Sequence, residues 1–152
     1  MKTESETTRP VLAADDNADD IRLLEFAWQS AQISTPLQVV TGGEDLLAYL
    51  RGDAEFSDRK KFPLPCLVLL DLKMPRTDGF EVLTWIRANP AFTCLPVLVF
   101  TASLHKQDVR RAFAAGANAF LVKPVELQKL IHMVKSIDDF WLAHNQSFII
   151  QD

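Results

Sequence analysis

Five polar side chains stand at the ends of short apolar runs. Asp15 and Asp16 follow Val11–Ala14, Asp71 follows the run Cys66–Leu70, Thr101 closes Val97–Phe100, and Lys123 closes Asn118–Val122. Three carboxylates, a hydroxyl and an ammonium in these places are a chemical set if the run ends meet. Two carboxylates ~5 Å apart repel by about 3 kcal/mol at an effective dielectric near 20. Protonation would relieve that. A divalent cation would relieve it better, and all-oxygen donors in a solvent-facing pocket suit Mg²⁺, which keeps several of its waters. With Lys123 and Thr101 alongside, the set would hold a phosphoryl group. The cations would neutralise its oxygens while a carboxylate attacks phosphorus. Asp71, alone at the end of its run, is the expected nucleophile.

The elements that must bring these ends together can be read from apolar spacing. Ile21, Leu24, Ala27, Trp28 and Ala31 repeat at helical period after the first run,. Leu37–Thr41 is a second strand, and a short helix through Leu46, Leu47 and Leu50 follows Gly42-Gly43. Phe80, Leu83 and Ile86 mark a helix after the third strand, and Val109, Ala112 and Phe113 one after the fourth. Leu127, Leu130, Ile131, Val134 and Ile137 form a stripe on a last helix,. Residues 51–65, polar and proline-bearing, read as a loop. The strand runs lack polar alternation and are separated by helices, which predicts an α/β fold. It is a doubly wound, five-stranded parallel sheet of the flavodoxin-like (βα)5 type, in the order 2-1-3-4-5. In such sheets ligands bind beyond the carboxyl ends of the strands, where the strand order reverses.

The chain has 152 residues, enough for one domain, expected over residues 9–145 between a disordered tail (1–8) and a C-terminal tail (146–152),. Twenty acidic and 16 basic residues give a formal charge of −4, which speaks against a nucleic-acid partner,. No apolar run is long enough to span a membrane, and the N-terminus lacks the apolar core of a secretory signal. A cytoplasmic protein with two reduced cysteines is expected.

The order and context of the five residues resemble those of the CheY-like receiver domains of two-component response regulators. The resemblance is carried by Asp15-Asp16 after the first strand, LLDLKMPRTDGFEVL around Asp71, FTAS around Thr101 and GANAFLVKPV around Lys123. It covers about residues 9–140. It implies that Asp71 accepts a phosphoryl group from the phosphohistidine of a sensor histidine kinase. It further implies that Asp16, Asp71 and the Lys73 backbone carbonyl ligate Mg²⁺, with Asp15 holding the metal's water shell. Thr101 would bond a phosphoryl oxygen, Lys123 would pair with the phosphoryl charge, and Phe120 would be the aromatic switch residue, without the hydroxyl of the more usual Tyr. The implied protein is a signalling phosphoacceptor rather than an enzyme, limited to Mg-dependent self-phosphorylation and self-dephosphorylation. Lys73 and Ser103, each two residues beyond a site residue, flank the path of hydrolytic water and are expected to set the phosphorylated lifetime. The 52–65 loop and the ending IDDFWLAHN resemble stand-alone receivers associated with bacterial phytochromes, which implies a phytochrome-type kinase and a homodimer. With the chain ending soon after the fifth helix, output is expected as a change of surface or of dimerisation.

Plainer readings apply to other features. Asp78-Gly79 is expected to be only a turn and helix start, Gly116 a helix C-cap, and Arg59-Lys60-Lys61 a solvated stretch of loop. Asp15 or Asp16 alone would more often be a helix N-cap than a ligand. Cys66 and Cys94 precede neighbouring strands, where buried thiols are expected over a disulfide. Phe140 and Trp141 are either core or interface, and the three scattered histidines are assigned no role. A haloacid-dehalogenase-type phosphatase needs an acid two residues after the nucleophile, where this chain has Lys73. A flavodoxin-like cofactor protein needs a Ser/Thr/Gly-rich phosphate loop, where this chain has DDNADD. The alternative from the binding class is a receiver-like module that takes no phosphate.

Overall fold

The computed structural model describes residues 9–145. The expected tails, 1–8 and 146–152, lie outside the described residues. The strands are β1 (Val11–Ala14), β2 (Leu37–Val40), β3 (Leu67–Leu70), β4 (Val97–Thr101) and β5 (Ala119–Val122). The helices are α1 (Ala18–Ser30), α2 (Gly43–Arg51), α3 (Gly79–Ala88), α4 (Lys106–Ala115) and α5 (Leu127–Ile137). All strand pairs are parallel and the sheet order is β2-β1-β3-β4-β5, the expected doubly wound arrangement.

Every residue of β1, β3 and β4 is buried, because helices cover both faces of the sheet. Leu12, Ala14, Val68, Leu70, Val97 and Val99 join the core beneath α2, α3 and α4. Val11, Ala13, Leu67, Leu69, Leu98 and Phe100 join the core beneath α1 and α5. The period-two alternation of a strand thus feeds two cores at once. Each fully buried Leu or Val contributes about 1.5–3 kcal/mol of hydrophobic stabilisation before the cost of ordering the chain.

Local chemistry places the helix starts. Asn17, not Asp15 or Asp16, caps α1 by accepting the N–H groups of Asp19 and Asp20, both at 3.0 Å,. That leaves Asp15 and Asp16 available to the strand ends. Asp78 caps α3 by accepting the Glu81 N–H at 2.9 Å. Gly79 is more than a turn residue: a Cβ there would lie 2.5 Å from the Asp71 carbonyl oxygen and 2.7 Å from Leu72 Cα, so its absence lets α3 start directly against the end of β3. Gly116 is the left-handed C-cap of α4, with φ 109°,.

Three expectations need correction. The 51–65 segment contains a 3₁₀ turn, Ala54–Ser57, and its Phe56 and Phe62 pack with Tyr49 of α2, the ring centroids 5.1–5.8 Å apart. Arg59 in it is not simply solvated. Its guanidinium donates to the carbonyls of Tyr49 (2.8 Å) and Leu50 (2.9 Å) in the last turn of α2 and to that of Phe62 (3.3 Å), so it satisfies helix-end carbonyls and ties the segment back to α2,. The two thiols are free, but Cys94 is exposed and Cys66 only half-buried, because each sits in the turn before its strand rather than within it. Beyond α5 the chain widens into a π-helical segment, Asp138–His144. There Trp141 packs on the α1/α5 core while Phe140 is 54% exposed.

Candidate functional site

Parallel pairing assembles the site. Ala14 pairs with Leu70, and the Asp71 N–H donates to the Ala14 carbonyl at 3.1 Å, so Asp15 and Asp71 leave the sheet side by side at the switch point. On the other side Thr101 pairs with Val122, and the Lys123 N–H donates to the Thr101 carbonyl at 2.8 Å. All five expected residues therefore share the carboxyl edge of the sheet.

Carboxylate oxygens of Asp15, Asp16 and Asp71 lie within 4.8 Å of one another. Asp15 and Asp71 are buried and Asp16 is exposed, so the cluster opens to solvent on one side. Lys123 crosses the pocket. Its ammonium donates to Asp15 at 2.5 Å, Asp20 at 3.0 Å and Asp71 at 3.2 Å. Three carboxylates thus accept from one ammonium, and the Asp16 carboxylate stands beside two of them.

Burial alone would pull the Lys123 ammonium down. The hydrogen bonds from Asp15 and Asp20 and the charges of Asp71 and Asp15 outweigh it and hold the lysine above its ordinary range, fully charged,. Burial also pushes the Asp15 carboxyl up. The Lys123 contact and the Asn17 N–H at 2.9 Å act against that, and the Asp71 charge adds to it. One ammonium cannot satisfy so much acid, and the site calls for further positive charge.

Thr101 is fully buried, and its hydroxyl has no hydrogen-bond partner among the described residues. An orphaned buried hydroxyl costs about 1–3 kcal/mol, which makes sense where a transient oxygen ligand completes it. The oxygen-only donor set, the excess negative charge and this orphaned donor fit a divalent cation with a phosphoryl group.

Phe120, paired with Val99 on β5, is half-buried and packs against the core on the α2/α3/α4 side. Lys73 donates its backbone N–H to Asp71 at 3.3 Å, but its exposed ammonium points to Asp108, 3.9 Å away. The Ser103 hydroxyl donates to the same Asp108 oxygen at 2.5 Å.

Asp20 and Asp108 are site neighbours that the sequence reading missed. Asp20 could have been found, since it closes the acidic run DDNADD and lies in the first turn of α1, directly after Asp15 and Asp16. Asp108, in the first turn of α4, gave no signal beyond that of an acid favourable to the helix dipole.

The fold and this edge define a class: the chain belongs to the response regulator receiver domain family, which it matches over residues 11–135. It is a signalling receiver of the two-component phosphorelay type. Among its relatives is the response regulator Rcp1 of Synechocystis sp. (strain ATCC 27184 / PCC 6803 / Kazusa), 34% identical over 93% of this chain and 95% of Rcp1. A crystal structure of Rcp1 in its Mn²⁺-bound form superposes with a TM-score of 0.81 at 32% identity, covering 93% of this chain and 99% of that one. The phosphorylated cyanobacterial phytochrome response regulator RcpA superposes at 0.84, with 30% identity over 93% and 99% of the two chains. RPA3017, a response regulator in red light signalling of R. palustris, superposes at 0.88, with 33% identity over the same shares. None of the helices among the described residues is long and apolar enough to cross a membrane.

Proposed function

We propose that Asp71 is the phosphoacceptor of a cytoplasmic signalling protein that takes its phosphoryl group from a sensor histidine kinase of the phytochrome class. In the transfer, an Asp71 carboxylate oxygen forms a bond to phosphorus, the P–N bond to the kinase histidine breaks, and the imidazole leaves with the electron pair. Asp15, Asp16, Asp71 and the Lys73 carbonyl hold Mg²⁺, which supplies positive charge to the phosphoryl oxygens. Lys123 exchanges its contact with Asp71 for one with the phosphoryl group, and Thr101 donates its orphaned hydroxyl. Inward movement of Thr101 frees space for Phe120 to rotate, and the face made by α4, β5 and α5 changes its affinity for a partner or for a second copy in a homodimer. Hydrolysis by the protein itself resets the state, with Lys73 and Ser103 governing its rate. The kinase assignment draws on the phytochrome response regulators among the relatives.

The observation that carries this reading is the meeting of Asp15, Asp16 and Asp71 within 4.8 Å, with Lys123 bonded to Asp15 and Asp71 and bonded through its backbone to Thr101 at the same sheet edge. Incubation with acetyl phosphate and Mg²⁺, followed by intact mass, tests it. One added phosphoryl group, lost on Asp71→Asn and on chelation, is expected. No gain in the parent protein would leave the receiver-like binding module as the reading.

A further inference from the structure

Asp108 joins the two loops that rim the acceptor. Lys73 comes from the β3–α3 loop and Ser103 from the β4–α4 loop, and both reach one oxygen of Asp108 on α4, at 3.9 Å and 2.5 Å. The side chain of Asp108 is 18% exposed against 67% for Lys73, so the carboxylate is the fixed partner and the lysine the movable one. A phosphoryl group on Asp71 would bring about −2 charge and three acceptor oxygens to the residue two positions before Lys73. The Thr101 hydroxyl, two positions before Ser103, lacks a partner among the described residues. The side chains that Asp108 engages are therefore ones a phosphoryl group would also attract.

We propose that Asp108 is a positioning residue that parks Lys73 and Ser103 on α4, so that α4 and a phosphoryl group compete for the same ammonium and hydroxyl. This rests on phosphoryl acceptance at Asp71. It also gives α4 a direct mechanical link to the site. A partner that draws the start of α4 away releases Lys73 and Ser103 and tightens phosphoryl binding, and by linkage the phosphoryl group strengthens that partner's binding by the same factor.

The probe is beryllium fluoride with Mg²⁺, a phosphoryl mimic, titrated by ¹⁹F NMR into the whole protein and its Asp108→Asn, Lys73→Ala and double variants. Asn keeps an acceptor for Ser103 but removes the charge that holds Lys73. Asp108→Asn should tighten binding by about two- to five-fold, the scale of an exposed ion pair. In the Lys73→Ala background the same change should have little effect. A helix-terminus role alone would not depend on Lys73, so an equal effect in both backgrounds overturns the proposal, as does unchanged or weaker binding in Asp108→Asn. A second measurement needs no variant. The Asp108 carboxyl ¹³C resonance of the parent protein should move when the mimic binds, and an unmoved resonance overturns the proposal. No binding of the mimic by the parent protein would instead overturn phosphoryl acceptance itself, and this inference with it.

Discussion

Replacing Lys123 by Met keeps most of the aliphatic stem and removes the ammonium. Lys123 is 11% exposed in its side chain, and its partners Asp15 and Asp71 are 10% and 9% exposed, so both contacts are nine-tenths buried. The Asp20 carboxylate, 38% exposed, is screened by water and contributes little,. A unit charge pair at ~3 Å attracts by about 5 kcal/mol at an effective dielectric near 20. Much of that is offset by the desolvation of the ions, and breaking a buried pair by removing one partner typically costs about 3–5 kcal/mol. For a domain of this size that corresponds to a fall in Tm of roughly 6–20 °C in chelator. The loss should be conditional. With the ammonium gone, the carboxylates of Asp15, Asp16 and Asp71 keep their mutual repulsion, and a divalent cation relieves it without competing against Lys123. Magnesium at 100 times its Kd would return about 2.7 kcal/mol, and the variant should bind it more tightly than the parent. Urea and thermal unfolding of both proteins, with chelator and across a magnesium titration, measure both effects. A loss below ~1 kcal/mol in chelator, or a magnesium stabilisation no larger in Lys123→Met than in the parent, would refute the assignment of Lys123 as the counter-charge of the acidic cluster.

Three other outcomes follow from the same geometry. The Asp15 carboxyl is held above its ordinary range, chiefly by burial, so the folded state binds its proton more tightly than the unfolded chain does. Its contribution to stability is therefore greatest in acid and is lost as pH rises from the ordinary aspartate value of ~3.9 through the raised folded value. Asp15→Asn should flatten that stretch of the stability–pH curve in chelator and raise Tm at neutral pH, while abolishing stabilisation by Mg²⁺; an unchanged curve would contradict it. Thr101→Val removes a buried hydroxyl that has no partner among the described residues and should stabilise the resting protein by about 1 kcal/mol in urea unfolding, while weakening beryllium fluoride binding. Arg59→Ala removes three bonds to the carbonyls of Tyr49, Leu50 and Phe62 and should cost roughly 2–3 kcal/mol, with Arg59→Lys recovering little because an ammonium cannot match the fork.

The five residues carrying the proposed chemistry were legible because the sheet is parallel and buried on both faces. Its strands read as unbroken apolar runs, and the first polar residue after each run must lie at the ligand-binding edge. Helix positions were legible for the same reason, from one apolar stripe per helix. Other features were not local. The reading of Arg59 as solvated failed because its partners are backbone carbonyls of α2, which no side-chain pattern advertises. Cys94 was expected to be buried and is exposed, because it lies in the turn that leads to β4 rather than in the strand itself. Gly79 read as a turn, whereas its lack of a side chain is what lets α3 abut the Asp71 carbonyl.

The sequence by itself determined the order of elements, the doubly wound sheet and the identity of the acidic, hydroxyl and ammonium groups at its edge, since those follow from polarity repeating at short range. Only the tertiary structure decided how the polar groups pair: that Lys123 holds Asp20 as well as Asp15 and Asp71, that the Thr101 hydroxyl has no partner among the described residues, and that Asp108 draws Lys73 and Ser103 together from two loops. Such pairings depend on distances of a few ångströms between groups far apart along the chain, and those distances are set by strand register and helix packing, which no stretch of residues carries alone.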